Sequence, residues 1–161
     1  KNNPFQLWSV DADEHFIRTT KHRLPNCLND IVTFCASEVL MGDYQGKICT
    51  YYESLPNICP DLIYIDGPSR YHPANHLRNI TTAHPDRMPM SADILAMEWF
   101  LCPGTLIVID GRTANARFLK CNLQREWRHT YDPDEDYHTF ELVEPPLGAI
   151  NRKELEWRTV E

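Results

Sequence analysis

Three aspartates stand directly behind runs of apolar residues: Asp11 after Phe5–Val10, Asp66 after Leu62–Ile65, and Asp110 after Thr105–Ile109. A carboxylate just past a strand end can accept hydrogen bonds from ribose or substrate hydroxyls, or ligate a cation. Ligands of open α/β sheets bind outside the carboxyl ends of the strands, so the three residues would decorate one edge. Aspartate also starts turns and caps helices, and each of the three suits that simpler role. Arg70, Arg78, Arg112 and Arg117 fall near the same edge. Arg112, next but one to Asp110, could pair with that carboxylate to order a loop or bind an anionic substrate.

The elements that must position these groups follow from local pattern. Phe5–Val10 reads as a short strand, and Asp13 as the cap of a helix from Glu14 towards Leu24, with Pro25 beyond it. Ile31–Cys35 and Lys47–Tyr52 are further strand candidates, with Gly42–Gly46 between them as a turn. Asp61–Pro68 is a nearly continuous apolar run closing on Asp66-Gly67-Pro68, the pattern of a strand buried on both faces of a parallel sheet. Ser69 to Pro89 is polar, holds His72, His76 and His84, and is too long for an ordinary connection, which suggests a lid or binding loop. Ser91 can cap a helix from Ala92 to about Leu101, placing Trp99 and Phe100 in the core. Thr105–Ile109 is the second buried strand, and Thr113 can cap a helix from Ala114 to about Trp127. His129–Tyr131 and Tyr137–Val143 flank an acidic turn and predict an antiparallel hairpin. Strands and helices alternate, so the expected architecture is one α/β domain over residues 1–161, a mostly parallel sheet with helices on both faces and a C-terminal hairpin.

Composition narrows the class. With 161 residues, 42% apolar and 24% charged, the chain has the make-up of a soluble globular domain. A net charge of −7 argues against general nucleic-acid binding, which needs a basic face. The longest nearly uncharged stretch, Phe100–Ile109, is far short of the ~20 apolar residues that span a bilayer. The six cysteines form no Cys-x-x-Cys pair and sit mostly in apolar segments. This argues against a zinc site or a disulfide framework and for a reducing, cytoplasmic compartment. Asn79-Ile80-Thr81 matches a glycosylation acceptor, but the motif is short and stands alone. The chain opens on Lys1 in a polar segment unlike a secretory leader and runs at once into a strand, which reads as a processed chain or a fragment.

Taken in order, Trp8–Asp13, Asp61–Pro68 and Pro103–Asp110 resemble the class I S-adenosylmethionine-dependent methyltransferase family from its second strand onward, with a Rossmann-like fold and the closing hairpin as its antiparallel end. The resemblance implies that Asp11 holds the cofactor ribose and that Ser37 and Glu38 lie near the adenine. It places Asp66 towards the transferable methyl group and the acceptor, with Asp110 and Arg112 on the substrate side. In the metal-dependent branch of the family, acidic residues at the positions of Asp66 and Asp110 bind Mg2+. Methyl transfer needs alignment and, for some acceptors, removal of a proton, for which Asp66, Tyr71 and His72 are the candidates; His72 is equally a solvated loop histidine. The family's first strand and glycine-rich motif are missing: no Gly-x-Gly occurs, and the first glycine is Gly42. The expected function is methylation of a small-molecule acceptor, and the alternative is a binding or structural module that has lost the cofactor site. A sheet without its central strand would expose edges that invite pairing with another copy.

Overall fold

A computed structural model describes residues 5–158. Two compact units form, one from the residues up to Asn57 together with Gly67–Ser91, the other from Ile58–Asp66 and Ala92 onward.

In the first unit, β1 (Leu7–Asp11) passes through helix α1 (Glu14–Arg23) to β2 (Val32–Ala36), which pairs with β1 in parallel. Asp13 caps α1 as its position predicts, its carboxylate accepting the His15 N–H at 2.7 Å. A short 3-10 turn at Asn26–Leu28 joins helix to strand. β3 (Val39–Tyr44) and β4 (Lys47–Tyr52) then form an antiparallel hairpin. The turn is narrower than the expected Gly42–Gly46. Only Gln45 and Gly46 leave the strands, with φ of 50° and 81°, and positive φ at both central residues matches the twist of a hairpin. Gly42 stays inside β3, where a Cβ would come 2.7 Å from the Tyr51 ring.

In the second unit, β5 (Leu62–Ile65) passes through α2 (Asp93–Met97) and a 3-10 turn at Glu98–Phe100 to β6 (Leu106–Asp110), again in parallel. Helix α3 (Thr113–Asn122) leads to β7 (Trp127–Asp132) and β8 (Tyr137–Leu142), and α4 (Ala149–Arg158) closes the described chain. The sheet order is β5-β6-β8-β7, with β8 antiparallel to both of its neighbours. Ile107, Ile109, Leu119, Phe140 and Leu142 are fully buried.

The expected Rossmann-like, mostly parallel sheet with helices on both faces is not what forms. The described residues hold eight strands in three small sheets of two, two and four, with only four α-helices. Only β1–β2 and β5–β6 are parallel; β3–β4, β6–β8 and β7–β8 are antiparallel. Apolar continuity misleads at β5: Leu62 and Tyr64 are 57% and 59% exposed, so one face of this strand is uncovered. Trp99 and Phe100 are likewise exposed, at 69% and 80%, rather than in the core. The helix tightens after Met97, which turns Glu98 inward and the two aromatic rings outward.

Two local features carry predictions. Asn115, buried in α3, has no partner for either amide atom among the described residues. An unpaired buried amide is costly, so Asn115→Leu is expected to stabilise the fold by about 1 kcal/mol, read as a higher urea midpoint at unchanged slope. A lower midpoint would show that the amide has a partner in solution. Separately, the thiols of Cys59 and Cys102 lie 3.5 Å apart, and burial raises the Cys102 pKa. Incubation with excess oxidised glutathione above pH 8 is expected to give a peptide cross-linked between these two cysteines on mass mapping. Mixed disulfides alone would show that the pair cannot close.

Candidate functional site

Parallel pairing places the carboxylates. Ile65 stands opposite Ile109 in the β5–β6 register, so the next residues, Asp66 and Asp110, emerge side by side at the carboxyl end of the pair. Both are exposed. Gly111 follows with φ of 57°, and its N–H donates to the Asp136 carbonyl at 2.8 Å. The chain thereby turns sharply enough to bring Arg112 back over the strand ends. The guanidinium of Arg112 donates to the main-chain carbonyl of Asp66 and lies 3.8 Å from its carboxylate. The side chain of Arg112 is largely buried, whereas that of Asp66 faces solvent. The sequence offered Arg112 as a partner of Asp110 or a binder of an anionic substrate; the structure shows it paired with Asp66.

Asp110 instead accepts a hydrogen bond from the Tyr64 hydroxyl. Tyr64 is the residue that sequence reasoning missed at this edge. Its only signal is alternation, since it leaves β5 on the same face as Asp66. The bond to the Asp110 carboxylate, helped by desolvation and the negative charges of Asp110 and Asp66, pushes the Tyr64 pKa up to about 12 from 10.0. A raised folded-state pKa means that this interaction is fully present below pH 10 and is lost as pH rises through 12. In an absorbance titration of the phenols, one tyrosine is expected to ionise near 12 and to return towards 10 in Asp110→Asn. An unchanged profile in that variant would refute the assignment.

The other predicted residues lie in the first unit. Asp11 ends β1, and its backbone carbonyl accepts from Ser37 N at 3.0 Å, so Asp11, Ser37 and Glu38 do meet at the carboxyl end of β1–β2. One Asp11 oxygen accepts the Asp13 N–H at 2.8 Å, closing the turn into α1. Ser37 is buried with its hydroxyl accepting the Ser54 N–H at 2.9 Å, while the Glu38 side chain is exposed. Tyr71 is exposed and His72 half-buried. They lie in a loop tied to β3 by Asn75, which accepts from Met41 N at 2.6 Å and donates to Met41 O at 3.2 Å. Thr82 and Arg70 fasten the loop internally.

The fit of magnesium to Asp66 and Asp110 is poor. One carboxylate is already engaged by a phenol and the other stands beside a guanidinium. No group of three or more His, Cys, Asp or Glu suited to a metal occurs among the described residues. No described helix is long and apolar enough to cross a membrane. No protein-family model, curated protein or solved structure matches this chain. Its chemistry therefore rests on its own residues.

Proposed function

We propose that the chain serves S-adenosylmethionine-dependent methyl transfer to a small, hydroxyl-bearing acceptor, with the Asp66–Asp110 edge on the acceptor side. The supporting observation is the convergence of Asp66, Asp110, Tyr64 and Arg112 at the carboxyl end of one parallel pair. Such a set offers two carboxylates to accept from hydroxyls, and a phenol and a guanidinium to donate. The methyl donor would supply a carbon already activated by a sulfonium leaving group. The protein then needs to align the acceptor oxygen and to receive its proton as the carbon–sulfur bond breaks. Asp66 is the proposed proton acceptor. Arg112 holds the backbone of Asp66 in place, and Asp110 keeps Tyr64 oriented. The sequence also offers Tyr71 and His72 for proton handling, and both lie in the first unit. In the first unit, Asp11 has one oxygen committed to its own turn and a second that suits a ribose hydroxyl, with Ser37 and Glu38 beside it in the chain fold.

One observation favours a second reading. Without any Gly-x-Gly turn in 161 residues, the Asp66–Asp110 edge would bind a hydroxylated ligand with no methyl donor present. Calorimetric titration of S-adenosylmethionine into the protein, with a coupled assay for S-adenosylhomocysteine over a panel of hydroxylated acceptors, separates the two. Saturable donor binding and acceptor-dependent product support methyl transfer. Neither signal, under conditions where the protein is folded, overturns it in favour of the binding module.

A further inference from the structure

A second cluster lies in the second unit, on the face made by α3, β7 and β8. His138, buried in β8, is held at both ring nitrogens: Nε2 is 3.1 Å from the Thr113 hydroxyl, and Nδ1 is 3.1 Å from Nε2 of His129. Tyr131 stacks on His138 with ring centroids 4.2 Å apart. The cross-strand pairing explains the arrangement, since Tyr131 stands opposite His138 in the β7–β8 register and His129 opposite Phe140. These side chains line a hollow of about 330 Å3 with Thr113, Ala116, Arg117 and Lys120 of α3. That is within the size range of small-ligand pockets.

The lining is unusual for a chain of charge −7. Among the described residues, no carboxylate lines it. Two cations, two imidazoles, a hydroxyl and a phenol do, all of them able to donate hydrogen bonds. From this geometry we infer that the hollow is a binding site for a dianionic oxyanion, the phosphoryl group of a small phosphorylated molecule, held by Arg117 and Lys120 and by a proton taken up on the His129–His138 pair.

The proton follows from the pairing. Only one hydrogen fits between two nitrogens 3.1 Å apart, so the two ring hydrogens of the neutral pair sit one between the rings and one on an outer nitrogen, and both rings cannot be cationic without a proton clash. The pair can therefore accept one further proton, on its remaining outer nitrogen. Burial, with Lys120 and the partner ring, lowers the His129 pKa; burial, Arg117 and Lys120 lower that of His138, while Asp136 opposes them. The groups facing the pair are thus Thr113, Arg117 and Lys120 from α3, Tyr131 from β7, and Asp136 from the turn before β8. A dianion between the cations would offset their repulsion and favour the protonated pair. Its affinity should consequently rise as pH falls below the ordinary histidine range. The residues lining the hollow are not those of the Asp66–Asp110 edge, and the proposal stands whether or not methyl transfer is the activity.

The test is titration of the full chain with sodium sulfate, a dianion across the working range, following the histidine ring resonances at pH 7.5 and pH 5.5. Saturable shifts in His129 and His138 are expected, with affinity tightening towards the lower pH by up to about 10-fold per pH unit for one linked proton. The exposed double variant Arg117→Gln/Lys120→Gln should lose this binding while keeping its thermal midpoint. Repeating the titration at pH 7.5, where both ligands are largely dianionic, with inorganic phosphate and with a hexose 6-phosphate separates a free anion from a phosphorylated molecule; tighter binding of the hexose phosphate supports the assignment. Tighter binding of the inorganic ion assigns the site to the free anion and overturns the ester reading. Non-saturating shifts, or shifts that persist in the double variant, overturn the site altogether.

Discussion

Glu98→Ala is expected to cost about 4 kcal/mol of stability, since removing one partner of a buried, charged hydrogen-bond set leaves the others unpaired. Glu98 is 1% exposed. Its carboxylate accepts the backbone N–H groups of Gln124 and Arg125, at 2.9 and 2.8 Å, and the indole N–H of Trp127 at 2.9 Å. Alanine would leave all three donors without this acceptor. The neighbouring Arg125 compounds the loss, because its guanidinium donates to the carbonyls of Glu98 and Leu101 and pairs with Glu144 at 2.6 Å. That pairing holds the Glu144 carboxyl below its usual range. Glu98→Gln keeps one acceptor oxygen and should lose roughly half as much. Urea denaturation of the two variants measures both effects. A loss under about 1 kcal/mol in Glu98→Ala, the net worth of one ordinary hydrogen bond, would falsify the anchoring role.

The largest functional effect is expected at Asp66. If its carboxylate receives the acceptor proton, Asp66→Asn should lower kcat for methyl transfer by about 10²- to 10³-fold, with a much smaller change in acceptor KM. The fold should be indifferent to the change. The side chain is exposed, and Arg112 donates to the main-chain carbonyl of residue 66, which asparagine retains. A melting curve like that of the parent chain therefore separates lost chemistry from lost structure. Asp11→Asn should behave differently, weakening donor binding with little effect on kcat at saturation. Equal kcat in Asp66→Asn and the parent would remove Asp66 from the proton path.

Local chemistry was legible wherever neighbours in sequence decide the outcome. Asp13 caps α1, and the hairpin β7–β8 forms around its acidic turn. The Asp110 strand end lies where the apolar run stops, and Asp66 follows β5 directly. Helix α3 shows the limit. Its pattern runs towards Trp127, yet the helix stops at Asn122, because Glu98, some 26 residues earlier, captures the N–H groups of Gln124 and Arg125 and the Trp127 indole. No periodicity within the helix reports that anchor. The two-histidine cluster was hidden for the same reason, since cross-strand register alone brings His129 and Tyr131 against His138.

By itself, then, the sequence determined that Asp66 and Asp110 would stand at strand ends, because apolar runs stop where a carboxylate must be solvated. Only the tertiary structure decided which strands pair and which partners those carboxylates take. Three small sheets formed where one mostly parallel sheet was expected, because a continuous apolar run is not proof that both of its faces are covered. Arg112 settled on Asp66, and Tyr64 on Asp110, because strand register and the turn at Gly111, not adjacency in the chain, set their distances.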